Sequence, residues 1–194
     1  MNEFLIYFNL GLSHVLDWNA YDHVLFLIVL VASYTFLEWK KVFWLVTTFT
    51  LGHTLALILA TFNVVNVNSS YVELLIPITI FVTALYNIFR AGKSNKEGGM
   101  SILIVTTLFF GVIHGLGFSS FFMGSVGSGT DKFVWLMEFA LGIEAAQAIV
   151  VTCVLILALI FQSIFNFSKR DWVLVVSSIV IGLVIPILLA NNIF

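Results

Sequence analysis

Cysteine is almost missing from this chain. Cys153 stands alone among 194 residues, which excludes an internal disulfide and any cluster of thiolates of the kind that holds copper(I) or iron-sulfur centres. With no pair to oxidise, cysteine usage carries no information on redox compartment. Charge is scarce too: 9% of residues are charged, eight basic against ten acidic, for a formal net charge of -2. No basic surface for nucleic acid follows from that balance. There is no H-E-x-x-H, no Walker loop and no G-x-S-x-G, so the familiar soluble zinc-protease, nucleotide and serine-hydrolase chemistries have no motif to stand on.

What fills the chain is apolar. The hydrophobic fraction is 61%, and apolar runs of about twenty residues recur from one end to the other, which is the signature of helices that cross a bilayer. The reading is an all-α polytopic membrane protein, a six-transmembrane helix bundle in which residues 1-194 form a single transmembrane domain. Spans are expected at about 21 to 37, 42 to 62, 70 to 90, 101 to 124, 133 to 165 and 172 to 192, the fifth long enough to tilt. The stretch from Phe4 to Leu16 is apolar but too short to span. It lacks the basic start and small-residue cleavage site of a signal peptide, and is expected to be a short N-terminal helix dipping into the outer leaflet.

Basic residues favour the cytoplasmic side of a membrane. Lys40 and Lys41, then Arg90, Lys93 and Lys96, then Lys169 and Arg170 occupy alternate loops, and the intervening loops hold only Lys132. Those loops are therefore expected to be cytoplasmic and both termini periplasmic. Trp18, Trp39, Trp44, Trp135 and Trp172 all fall at predicted helix ends, as an interfacial aromatic belt requires. Pro77 and Pro186, the two prolines, lie within the third and sixth spans, where each removes a backbone donor and can kink its helix. Gly111 and Gly115 make a G-x-x-x-G face on the fourth span that lets another helix approach closely.

Against this background the polar groups stand out. All four histidines, His14, His23, His53 and His114, lie inside or at the edge of apolar segments, as do Asp22 and Glu144. At ~1.5 Å rise per residue, His53 and His114 come out roughly 18 to 21 Å from the inner face, just outside the midplane of a ~30 Å core. Asp22 and His23 approach the same level from the outer end of the first span, and Glu144 from the fifth. His14, Asp17 and Glu73 are expected above it, and Glu138 about six residues below Lys132. A lone histidine in a bundle often serves as an ordinary hydrogen-bond partner. Four in the outer half and none in the inner is not the scatter that independent structural roles would give, and an acid at the depth of Glu144 is functional by default. Gln147, three residues on from Glu144, shares its helix face.

Imidazole plus carboxylate without thiolate suits a borderline divalent metal such as nickel, cobalt or zinc. The expected ligands are His14, Asp22, His23, His53, His114 and Glu144, with Asp17, Glu73, Glu138 and Gln147 lining the approach or supporting the ligands. Asp22 and His23 are adjacent and cannot share a helix face, so one is expected to ligate while the other orients a neighbour.

The strings Gly11-Leu12-Ser13-His14, Tyr21-Asp22-His23-Val24-Leu25-Phe26-Leu27, Phe49-Thr50-Leu51-Gly52-His53-Thr54-Leu55-Ala56, Gly111-Val112-Ile113-His114-Gly115-Leu116-Gly117-Phe118 and Leu141-Gly142-Ile143-Glu144 resemble, in order, the motifs of the HupE/UreJ family, bacterial membrane proteins associated with hydrogenase and urease maturation. The resemblance extends over nearly the whole chain. It implies a six-span bundle that moves nickel, or cobalt, and handles metal at the first-span histidine and Asp-His pair and at the fourth-span His-Gly. Two positions depart from the pattern. Seven residues separate His14 from Asp22 where the family usually has five, and Phe110 stands where hydrogenase-linked members carry the first histidine of F-H-G-x-A-H-G.

Three functions are compatible with these residues. The leading one is a divalent-metal permease, or metal-binding protein, of the bacterial inner membrane, with the metal ion and the bilayer as partners and homo-oligomerisation left open. The alternative is an intramembrane zinc-dependent metallohydrolase in which Glu144 or Asp22 is the general base for a metal-bound water. A third is a metal sensor or assembly subunit without turnover.

Overall fold

The computed structural model describes residues 2–93, 99–125 and 131–190. Among them the secondary structure is entirely helical: α1 (Glu3–Val15), α2 (Asp22–Val31), a 3-10 turn (Phe36–Glu38), α3 (Trp39–Thr61), α4 (Ser69–Arg90), α5 (Gly99–Ser125), α6 (Lys132–Ser163) and α7 (Lys169–Ala190). Five segments are long and apolar enough to cross a membrane: Phe36–Thr61, Ser70–Arg90, Leu103–Ser125, Lys132–Ser163 and Lys169–Ala190. They match the second to sixth predicted spans to within a few residues at each end. Lys96 and the end of the last predicted span lie outside the described residues.

The predicted first span, 21 to 37, is corrected. Its helix α2 stops after ten residues at Val31, a rise of about 15 Å, half a hydrocarbon core. Two interactions end it. The side-chain amide of Asn87, on α4, donates to the Val29 carbonyl at 2.6 Å, taking the acceptor that continuation of the helix would use. Four residues past the helix end, Thr35 starts a new element: its backbone N–H and hydroxyl donate to the Glu38 carboxylate at 3.3 and 3.4 Å, a capping box that opens the 3-10 turn and launches α3. Asn87→Leu keeps the volume and leaves the Val29 carbonyl buried without its donor. It should lower stability by about 1 to 3 kcal/mol, read as a lower melting temperature in detergent.

The expected N-terminal helix is α1, and it packs along α6. Two glycines set that contact: a Cβ on Gly11 would overlap the carbonyl oxygen of Phe139, and one on Gly142 would overlap that of Phe8. The larger seam joins α3 to α5. Gly111 lies against the Phe49 carbonyl, Gly115 against that of His53, and Gly52 against that of Leu108, so the G-x-x-x-G face of α5 meets a glycine on α3. Such backbone approach gives dispersion contacts where the hydrophobic effect contributes little between helices.

The core runs through Phe26, Leu45, Phe49, Phe122, Phe139 and Ile143, all essentially inaccessible. Trp18, Trp39 and Trp44 are exposed, as belt residues should be, whereas Trp135 stacks on Tyr7 at 5.1 Å. Trp172 departs from the belt reading. It is buried beside Val173, with its ring 5.5 Å from that of Phe161, while Lys169, Arg170 and Asp171 before it are exposed.

Candidate metal centre

The site is built where α1 ends and α2 begins. His14 stands in the last turn of α1 and His23 is the second residue of α2. Between them, Asp17 accepts from the backbone N–H of Asn19 at 2.9 Å, an Asx turn that helps fold the connection. The two histidines thereby meet, ring centroids 4.4 Å apart. From the α3–α5 seam come His53, 5.8 Å from His14 and 5.9 Å from His23, and His114, 5.0 Å from His23.

His14, His23 and His53 each offer a ring nitrogen, and these atoms lie within 4.8 Å of one another. A divalent ion bound at about 2.1 Å to each would hold them roughly 3 to 3.5 Å apart, so an inward movement of about an ångström completes the contact. Burial, reinforced by the neighbouring imidazoles of His23, His53 and His114, holds His14 well below the usual histidine range. Its ring is therefore neutral and carries the lone pair that a metal needs. Among the described residues, six buried ring nitrogens have no hydrogen-bond partner in the protein: Nε2 of His14 and of His23, and both nitrogens of His53 and His114. A polar atom left so would cost about 1 to 3 kcal/mol each, and ligation by His14, His23 and His53, one nitrogen apiece, would relieve up to three of the six.

Asp22 is not among the grouped ligand atoms; its carboxylate contacts one of the three imidazoles. Its Oδ1 accepts from the His23 backbone N–H at 2.9 Å and from Nδ1 at 3.1 Å. With Nδ1 donating, Nε2 is left as the lone-pair nitrogen, the carboxylate–histidine arrangement that raises ligand basicity and fixes the ring. The adjacency that prevents Asp22 and His23 from sharing a helix face permits this contact at the first turn.

A cavity of about 760 Å³ opens onto the group. His14, His23 and His114 line it with the carboxylates of Asp17, Asp22 and Glu73, and among the described residues no lysine or arginine lines it. Asp17 and Glu73 are exposed at its mouth, where their negative charge favours cations. Glu144 is held elsewhere: it accepts from the Thr47 hydroxyl at 2.5 Å and is not among the grouped ligand atoms. Gln147 accepts from Thr50 at 2.8 Å, a second bond between the same two helices. Glu138, on α6, is half-buried with Oε2 unpartnered in the protein.

The sequence reading passed over the aromatic residues that wall the site. The Phe118 ring centroid lies 3.5 Å from that of His14. On the other side of the histidines, Phe26 stacks on Phe49 at 4.9 Å and meets Phe110 at 5.8 Å. The His114 ring stands 5.2 and 5.1 Å from Phe26 and Phe49. A signal existed: Phe26, Phe49 and Phe118 sit three or four residues from His23, His53 and His114, on the same helix faces.

No curated protein and no solved structure matches the chain significantly. The family model described as HupE / UreJ protein matches residues 1–192. With apolar helices long enough to cross a membrane and a buried histidine group among them, the chain belongs to the HupE/UreJ family.

Proposed function

We propose that this protein is a divalent transition-metal permease of the bacterial inner membrane, carrying nickel or cobalt, with zinc as a further cargo, from the periplasm. The observation that carries the reading is the convergence of three imidazoles, from α1, α2 and α3, with ligand nitrogens within 4.8 Å beneath a mouth that carries three carboxylates and, among the described residues, no lysine or arginine. The HupE/UreJ membership agrees with nickel or cobalt handling. Metal enters through the Asp17 and Glu73 rim and loses water to His14, His23 and His53 while Asp22 balances charge. It then passes His114 when the Phe26, Phe49 and Phe110 layer parts. That layer lies toward the lysine- and arginine-rich end of the helices, which the distribution of basic residues makes cytoplasmic. The interrupted pair α1 and α2 supports the same reading, since broken helices inside a bundle place polar chain ends at a binding site.

Radiolabelled nickel, cobalt and zinc uptake into proteoliposomes tests the proposal. Saturable uptake of at least one ion is expected, and folded protein that moves none of them ends it. The hydrolase reading has less support, because the two carboxylates it needs as base are engaged, Asp22 by His23 and Glu144 by Thr47. Elemental analysis separates the two: a permease is expected to release its metal to a mild chelator, whereas tight stoichiometric zinc would favour hydrolysis.

A further inference from the structure

A second cavity, of about 480 Å³, has the opposite electrostatic character. Four cations line it: Arg90 and Lys93 at the end of α4, Lys169 and Arg170 at the start of α7. Ser33 and Asn87 add polar groups. Only Lys169 has a carboxylate partner among the described residues, Glu38 at 3.5 Å, which it shares with Lys41. Arg90 instead stands 6.0 Å over the Tyr86 ring. Four cations with a single carboxylate partner among the described residues repel one another, and the cavity they frame favours an anion.

The surroundings indicate which anion. Leu30, Thr83, Tyr86 and Leu103 line this cavity and also a smaller one of about 170 Å³ that adds Val82, Thr106, Thr107 and Phe110. The smaller cavity is a furrow between α4 and α5, and it reaches the outer surface of the helices, where Val82 and Tyr86 are half exposed. A charged chamber continuous with an apolar furrow matches a molecule with an anionic head and a hydrocarbon chain. Basic pockets between membrane helices on the cytoplasmic side take such headgroups.

We propose that the chamber of Arg90, Lys93, Lys169 and Arg170 holds the phosphodiester headgroup of an anionic phospholipid, with an acyl chain laid in the furrow between α4 and α5. This assignment is independent of metal transport. It is tested on purified full-length protein by native mass spectrometry with dioleoylphosphatidylglycerol and dioleoylphosphatidylcholine. The wild type should retain the anionic lipid preferentially. Arg90→Gln combined with Arg170→Gln should weaken that retention roughly tenfold or more, whereas Lys40→Gln with Lys132→Gln, the same change of charge outside the chamber, should alter it less than about twofold. Leu103→Trp, which fills the furrow and keeps every cation, should also weaken it. Equal retention of the two lipids, equal loss in the two charge variants, or displacement of the lipid by inorganic phosphate at the same concentration would each overturn the assignment. The last of these would identify free phosphate as the ligand. Because the arginines are at helix ends and exposed, misfolding is checked by melting temperature, which should stay at the wild-type value in lipid-free detergent.

Discussion

His53→Ala is expected to lower nickel or cobalt affinity by about a hundredfold or more, while Glu144→Gln leaves it within about threefold. The contrast follows from geometry. His53 is fully buried, both ring nitrogens are unpartnered within the protein, and one of them belongs to the three-imidazole group. Its removal deletes a ligand. Glu144 instead accepts from Thr47, and its amide counterpart retains an acceptor for that hydroxyl. Asp22→Asn should fall between the two, a loss of roughly ten- to a hundredfold, because the Nδ1 bond that selects the His23 tautomer weakens while all three ligands remain. Isothermal titration with nickel and cobalt on each purified variant measures the series. An affinity in His53→Ala equal to wild type would show that the three imidazoles do not share an ion. A collapse in Glu144→Gln matching that of His53→Ala would place the carboxylate on the metal.

That series also marks what the residues alone disclosed. Five helices long enough to span were legible because long apolar runs leave a chain few alternatives, and helical rise put His53 and His114 at similar heights in the sequence reading. The break after Val31 was not legible. Ser33, Tyr34 and Thr35 are too mildly polar to interrupt an apolar run, and the group that ends α2, Asn87, comes from α4, 58 residues along the chain from the carbonyl it takes. Glu144 was placed at a plausible depth but on an unknown azimuth. Only the packing of α3 on α6 reveals that it faces Thr47. For Asp22 and His23 adjacency suggested that one would orient a neighbour, but that the carboxylate folds back onto the next side chain depends on the first turn of α2. Depth along a helix is a local property; direction around it is set by partners.

Rotation and separation of helices are fixed by glycines, so Gly111→Ala should damage both stability and metal binding, whereas Gly182→Ala should harm neither. A methyl at position 111 would overlap the backbone carbonyl of Phe49, and backbone cannot swing away as a side chain can. α3 and α5 must separate, and Phe49 and His53 sit on the part of α3 that moves. In an ordinary exposed helix the same substitution is favourable by about 0.5 to 1 kcal/mol, which is the expectation at Gly182, where an added Cβ meets nothing within 4 Å. At Gly111 overpacking should reverse the sign, by about 1 to 3 kcal/mol. The melting temperature in detergent reads the first effect and nickel titration the second. If Gly111→Ala melts as the wild type does and binds metal with unchanged affinity, the close α3–α5 seam is not what brings His53 to the other imidazoles. If it melts lower yet binds normally, the histidine group is held by α1 and α2 without help from that seam.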